Sequence, residues 1–489
     1  MLYGGATLGD KILRILKEIV GDEYASADEA VLYPYSFDLT WAKPRMPDYV
    51  VLPNTVEDIQ RILRLANRER IPVVPYVSGT NIGGLCIPEN GGIIMDLKRM
   101  NKIIEINTET GYVVVEPGVT HAQLSAALKK EGFTFSWPVG PPAASVLACA
   151  INCGIGHLAS KFGINAENIS SMEVVLPTGE VAKIGSCAFS DSWHSLWPLP
   201  QLAGLFIGWL GTTGIVTKLG VWIYDIPPFI KVETVATDNV EDMARWQRAI
   251  RRTYVPLDVT AVSWWLAQVP IPHPYVEKPK DAPEWYCFNV LTAWTEKQMD
   301  AYVDLFNKIV KEEQQRGSSV RPYPYPEEAL KGRTQLPSRI VGTTKNYCGS
   351  GVAGLSWPGT FTPASNWPPL YHEWKTILIK HHFSPAVRLT NFQGAHYGMM
   401  RAFVPFDKRK VGDPNLRIKG IDNQENARQA LLECVEAGVK YGMIPYKPPV
   451  DFWSILNRKA DPGFISLLTK VKDMLDPNGI MNPGKLGVR

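Results

Sequence analysis

The chain has 489 residues, 45% hydrophobic and 20% charged, with 51 Lys and Arg against 48 Asp and Glu for a net charge of +3. That length exceeds one small core, so two or three domains are expected, and the apolar share excludes a disordered chain. The near balance of scattered charge excludes nucleic acid as the main partner. The longest apolar stretch, 202–210, is too short to span a membrane.

The first residues lack a basic segment followed by an apolar one, so no secretory leader is expected. The compartment expected is the cytoplasm, with the periplasm as the alternative. Seven Cys are scattered at 86, 149, 153, 187, 287, 348 and 434. An odd, dispersed set without Cys-x-x-Cys suggests neither a disulfide framework nor a metal site. Cys149 and Cys153 share a helical spacing and read as small residues packed near a ligand. Fifteen Trp and 39 Pro point to a rigid, aromatic-lined interior.

In chain order, 8–25 carries apolar residues at helical spacing and 49–53 reads as a strand. Thr55 then opens a helix with Asp58 three residues on, a capping pattern, and Val56, Ile59, Ile62, Leu63 and Ala66 form its stripe. The apolar run 72–77 is a buried strand that breaks into Ser78-Gly79-Thr80-Asn81 and then Gly83-Gly84. Such a loop can aim several backbone N–H groups at one anion, because Gly admits positive φ and close approach. The ligand it suggests is a pyrophosphate, although the pattern is neither a Walker A nor a Gly-x-Gly-x-x-Gly motif.

Strands follow at 92–97, 103–106 and 112–116, then a helix from Thr120 to about 131, a Gly/Pro-rich loop at 136–142 and a small-residue helix at 143–151. Residues 172–181 read as a hairpin around Thr178-Gly179, and 219–224 as a strand. Pro227-Pro228 marks a boundary. Beyond it, helices at 239–253 and 296–315 flank a strand at 259–266, and 353–358 and 385–405 supply more strands. This order suggests an α+β domain with an antiparallel sheet. A helix at 465–475 leads into a Pro- and Gly-fixed tail. The division expected is 1–228, 229–434 and 435–489.

Six stretches, in this order and spacing, carry a family resemblance: SGTNIG (78–83), MDLKRMNKI (95–103), VVEPGVT (114–120), SMEVVLPTGE (171–180), GTTGIVTK (211–218) and DPNGIMNPGK (476–485). Together they resemble the FAD-linked oxidoreductases of the vanillyl-alcohol oxidase / p-cresol methylhydroxylase superfamily, over about residues 30–489. The resemblance implies an α+β fold: an FAD domain of two subdomains, closed by the C-terminal segment, and a cap domain with an antiparallel sheet. By the same resemblance Val77, Ser78, Gly79, Thr80, Asn81, Ile82 and Gly83 would cradle the pyrophosphate. Pro117, Gly140, Ser145, Cys149 and Gly154 would lie along the cofactor, and Ile215 and Val216 would add backbone contacts. Tyr347 stands about where the methylhydroxylases attach their flavin covalently.

Several cap segments (354–357, 371–381 and 403–407) look like the branch that oxidises para-alkylphenols. That branch holds the phenolate with a Tyr-Arg pair, and Tyr446-Lys447 stands at the matching position. Lys brings the charge without the bidentate fork of Arg. Two departures follow from the same match: Gly84 replaces a phenolate-binding Tyr, and Asn152 replaces a carboxylate near flavin N5, where it cannot serve as a base. His396 is the nearest substitute for the branch's acid/base His.

The reading is therefore an FAD-dependent enzyme moving a hydride from a small para-alkylphenol or benzylic alcohol to the flavin, with Tyr446, Lys447, His396 and Asn152 at the reacting end. The alternatives are a 2-hydroxy-acid dehydrogenase of the glycolate or D-lactate type, whose usual metal motif is missing here, and a flavoprotein subunit of an electron-transfer complex. A cytochrome c or iron–sulfur protein would then accept the electrons. The resemblance also implies a homodimer.

Overall fold

In a computed structural model of the chain, residues 8–136, 141–156, 159–327, 330, 353–393, 396–407 and 423–487 are described. The first sheet grows from a crossover unit. Strand β1 (Ala25–Ser26) lies antiparallel to β2 (Tyr49–Val51), while β2 and β3 (Val73–Tyr76) both run parallel to β4 (Ile93–Asp96) between them. Helices α1 (Leu8–Val20) and α2 (Val56–Glu69) cover this sheet. The capping box that opens α2 forms as expected. The Asp58 amide donates to Thr55 Oγ1 and the Thr55 amide to Asp58 Oδ2, each at 3.1 Å. Ile59, Ile62, Leu63 and Ala66 of its stripe are fully buried.

The second sheet is antiparallel. Its strands are β5 (Ile103–Asn107), β6 (Tyr112–Val115), β7 (Ile169–Val175), β8 (Val181–Gly185) and β9 (Ile215–Trp222), in the order β5-β6-β9-β7-β8. Between its strands lie α3 (His121–Lys130), α4 (Val146–Ile151) and the single turn α5 (Ala159–Phe162). The two sheets share a core in which Ile93 and Met95 of β4 meet Val175, Ile215, Ile480 and Met481.

The third sheet has eight strands among the described residues: β10 (Phe229–Thr237), β11 (Pro256–Ser263), β12 (Trp285–Ala293), β13 (Arg321–Pro322), β14 (Thr360–Pro363), β15 (Val387–Asn391), β16 (Tyr397–Ala402) and β17 (Ile444–Pro445). Their order is β13-β10-β12-β11-β15-β16-β14-β17, with each neighbour pair antiparallel. Helices α6 (Val240–Arg251), α7 (Glu296–Gln315), α8 (Trp367–Lys380) and α9 (Asn423–Val439) contribute to the core on one side of it, where Trp246, Trp285, Trp367 and Trp374 are buried. β17 comes from beyond the expected boundary at 434 and pairs with Thr360 and Phe361.

The stretches 353–358 and 385–405 supply strands as expected: β15, β16 and Val404–Asp407, the last paired with Ala353–Ser356. One local expectation shifts: the strand expected to run to 266 ends at Ser263, and Trp264–Ala267 make a helical turn that buries Trp265. Packing of a large indole outweighs the strand preference of a β-branched and aromatic run. After β17 come α10 (Trp453–Lys459) and α11 (Pro462–Leu475), and the chain then returns to the first sheet. There the Val73 amide donates to Ile480 O (2.7 Å) and the Asn482 amide to Val73 O (2.8 Å). Among the described residues no helix is long and apolar enough to cross a membrane.

Candidate cofactor and substrate site

A cleft of about 870 Å³ lies where the loop after β3, the start of α4, the start of β9 and the tail converge. Val77, Ser78, Gly79, Thr80 and Asn81 line it, as do Pro117, Ser145, Cys149, Asn152, Ile215, Val216 and Lys447. Ile82, Gly83 and Gly154 lie beside these residues in the chain without belonging to the lining. Gly140 and Tyr347 fall outside the described residues. The residues that sequence reasoning did not assign include Tyr76, Cys86, Leu210, Gly211 and Asn482. The nearest signal for the last was the DPNGIMNPGK tail.

The loop's shape is fixed from several sides. Gly79 has φ +62, and a Cβ there would come within 1.9 Å of Tyr76 Oη. Gly83 has φ +96, and its missing side chain admits Pro449, whose Cα would stand 3.0 Å from a Cβ. Ser78 Oγ accepts from the Ser145 amide (2.9 Å); Ser145 Oγ donates to Pro117 O (2.6 Å) and accepts from the Ala148 amide (3.0 Å). One serine therefore caps α4 and joins three loops. The Gly84 amide donates to Asp38 Oδ2 (2.6 Å).

The tail completes the floor. Lys485 Nζ donates to Gly84 O (2.7 Å), Ile87 O (3.1 Å) and Glu89 Oε1 (3.2 Å), and Asn482 Nδ2 donates to Leu210 O (2.7 Å). Lys472 Nζ donates to Thr212 O (2.7 Å) and Met481 O (3.0 Å) and pairs with Asp476.

At the other end Lys447 sits with φ +48, its ammonium 4.9 Å from the centroid of the Tyr446 ring. The Arg401 guanidinium lies 5.4 Å from the same ring and 4.6 Å from that of Trp357. Tyr446 stacks on Phe361 (5.7 Å, 18° between planes), and its amide donates to Gly359 O (2.8 Å). Phe392 and Tyr397 extend this wall, with Cys153 packed against it. Burial pulls the Lys447 ammonium down, but Tyr446 and Cys149 outweigh it and leave its pKa above the usual lysine value, with Arg401 working the other way. Burial, with Glu167 and Cys153 adding, raises Tyr397 to about 12. Burial also raises Cys149, and Cys153 to about 11, so both stay thiols near neutral pH.

Asn152 lines the cleft but spends its amide on the Ala148 carbonyl (2.8 Å), where it finishes α4. His396 is exposed and not part of the lining, so the acid/base position expected of it is not one the cleft reaches. A resemblance in sequence register does not fix the direction in which a loop carries its side chain.

The donor set suits a dinucleotide. A loop of small residues lining the cleft, the N-cap of α4 and a half-buried lysine at the far end match a pyrophosphate at one end and a planar ring system at the other. Residues 47–185 match the FAD binding domain family and residues 453–486 the C-terminal domain of FAD linked oxidases. The fold and cleft thus define an FAD-dependent oxidoreductase. The chain is 25% identical over 528 residues to the 4-cresol dehydrogenase [hydroxylating] flavoprotein subunit of Pseudomonas putida, covering 100% of this chain and 98% of the relative. It is 33% identical to the mitochondrial D-lactate dehydrogenase [cytochrome] of Arabidopsis thaliana, over 41% of this chain and 34% of that protein. Its fold matches p-cresol methylhydroxylase with substrate bound at a TM-score of 0.83 and 22% identity, covering 99% of this chain and 98% of that one. The 4-ethylphenol oxidase of Gulosibacter chungangensis in its isoeugenol complex matches at 0.82, with the same identity and coverage. Over its full length the chain is thus similar to FAD-linked oxidoreductases of the p-cresol methylhydroxylase type.

Proposed function

We propose that the protein oxidises a small para-alkylphenol or benzylic alcohol, with residues 229–434 forming the cap over the reacting end. One observation carries this reading: two cations, Lys447 and Arg401, converge on the Tyr446 ring, and Lys447 itself lines the cleft. That arrangement suits a phenolate oxygen, which the Tyr446 hydroxyl and the Lys447 ammonium would hold by charge-assisted hydrogen bonds. Arg401, stacked between Trp357 and Tyr446, adds the planar cation that Lys447 lacks. FAD, when bound, supplies the hydride acceptor.

Binding the substrate as a phenolate supplies the electron push from its own ring, so no carboxylate is needed at Asn152. The aromatic wall of Phe361, Phe392 and Tyr397 orients the ring and keeps water from the reacting carbon. The electrons then pass to a separate acceptor, a small cytochrome or iron–sulfur protein. The relation to D-lactate dehydrogenase covers 41% of this chain, which keeps a 2-hydroxy acid on the panel of substrates to be tried.

The test is anaerobic reduction of the FAD-loaded enzyme by 4-alkylphenols, benzylic alcohols, glycolate and D-lactate. A phenol should bleach the flavin fastest. Lys447→Ala and Tyr446→Phe should each lower kcat/KM for that phenol about 10- to 100-fold, the loss of one hydrogen bond to a charged group, with flavin content unchanged. Reduction by a 2-hydroxy acid alone, or phenol turnover untouched by both substitutions, overturns the reading.

A further inference from the structure

Helix α6 ends on Arg251, which is completely buried at its C-terminal turn. All three guanidinium nitrogens lack a hydrogen-bond partner. Its ring neighbour is Tyr254, with the guanidinium carbon 5.1 Å from the centroid. One turn earlier on the same face, Gln247 accepts from Asn391 Nδ2 (3.3 Å), and the buried Asn391 Oδ1 is itself unpartnered.

Helix α5, from the other part of the molecule, closes on this spot. Ser160 Oγ donates to Asn391 O (3.0 Å) and accepts from the Val259 amide (2.9 Å). The next residue, Lys161, rests 5.7 Å from the Phe162 ring centroid. Burial first, and the Arg251 charge second, lower the Lys161 pKa, so the two cations feel each other. Neither forms an ion pair among the described residues. The Asp258 carboxylate, on adjacent β11, is engaged with the Thr260 hydroxyl (3.0 Å). A buried guanidinium with no acceptor is costly, and a second cation beside it makes it more so.

Tyr254 lies against the guanidinium. It is 60% exposed and has φ +59, a left-handed conformation that a tyrosine rarely adopts. Two positive charges, a planar fork of donors and a strained, solvent-facing tyrosine describe an anion site rather than a failed salt bridge.

We propose that the seam between α5 and α6 binds a small oxyanion of the phosphate class, held by the Arg251 fork and the Lys161 ammonium beside Tyr254. The anion neutralises both charges and joins the cap helix α6 to the α5 turn beside the cofactor half. It lies outside the catalytic cleft, so its occupancy changes the stability of the cap seam and leaves the substrate contacts alone.

The experiment is thermal unfolding of the FAD-loaded full chain in a phosphate-free buffer, titrated with sodium phosphate against sodium chloride at matched ionic strength. The expected result is a saturable rise in Tm with phosphate that chloride does not give. Arg251→Met and Lys161→Met should each weaken the apparent phosphate Kd about tenfold or more. Arg251→Met should also raise the phosphate-free Tm, because it removes an unpaired buried charge. Phosphorus NMR of the unmodified holoenzyme reads binding directly and does not depend on either variant folding. Equal effects of phosphate and chloride with no phosphorus line broadening, or saturation unchanged in both variants, overturn the site and leave Arg251 relieved by water alone.

Discussion

The ammonium of Lys485 reaches the carbonyl of Gly84, 401 positions earlier in the chain, at 2.7 Å. Two more acceptors, Ile87 O and Glu89 Oε1, fill its remaining directions, and the side chain is buried. Lys485→Met keeps the stem and removes all three bonds. We expect it to destabilise the protein by about 2–3 kcal/mol, because two buried carbonyls lose a charged donor. FAD should also dissociate more readily, since the carbonyl it frees belongs to the cofactor loop. Chemical denaturation and flavin retention on gel filtration measure the two effects separately.

The buried pair Lys472–Asp476 holds the same tail from the other side. Asp476 also accepts the amides of Ile480 (3.1 Å) and Met481 (2.8 Å). Lys472→Met leaves a buried carboxylate without its cation and should cost about 3–5 kcal/mol. The double substitution Lys472→Met/Asp476→Leu should not recover the loss, because the two amides and the carbonyls of Thr212 and Met481 stay unpaired. Recovery to native stability in urea unfolding would mean that the pair acts by charge alone.

Gly79→Ala meets two obstacles, a positive φ and the Tyr76 hydroxyl. We expect purified Gly79→Ala to carry far less flavin, and Gly79→Ala/Tyr76→Phe to recover little of it, because the backbone conformation costs about 1 kcal/mol or more whatever the space. The absorbance ratio of flavin to protein checks both.

His121 gives the acid limb of stability its shape. Burial, with the Lys447 charge adding, holds it down at about 3, against an ordinary value near 6.5. The unfolded chain therefore takes up a proton between those values while the folded one does not. This contribution is fully present above pH 6.5 and declines as pH falls from 6.5 towards 3, by up to about 1.4 kcal/mol per unit. His121→Phe, which keeps the ring stacked on Phe135, should lose less stability than the native protein between pH 7 and 4. Parallel slopes in urea midpoint against pH would sink this account.

What could be read in the sequence was local. The capping pattern at Thr55 and Asp58, the hairpin around Thr178-Gly179 and the loop from Ser78 to Gly83 each declare themselves within ten residues, because backbone geometry there demands particular side chains. The same holds for the tail: its two Pro and two Gly mark a fixed path. What that path touches was not legible. Leu210 and Gly211 enter the cleft from one loop and Asn482 from another, and a contact across 272 residues leaves no periodic trace. His396 shows the limit of register matching, since its loop turns the imidazole to solvent. Nothing in the local sequence marks Arg251 and Lys161 as cations that, among the described residues, find no carboxylate.

Val73 lies between Ile480 and Asn482, hydrogen-bonded to both, and the loop that follows Val73 rests on Lys485. A ribosome therefore finishes β3 and its loop some four hundred residues before it supplies the residues that brace them. The nascent chain carries an unbraced cofactor loop until Ile480, Asn482 and Lys485 have left the exit tunnel. Flavin capture then waits on that distant segment, and a message broken before codon 480 yields a polypeptide that holds its cofactor poorly.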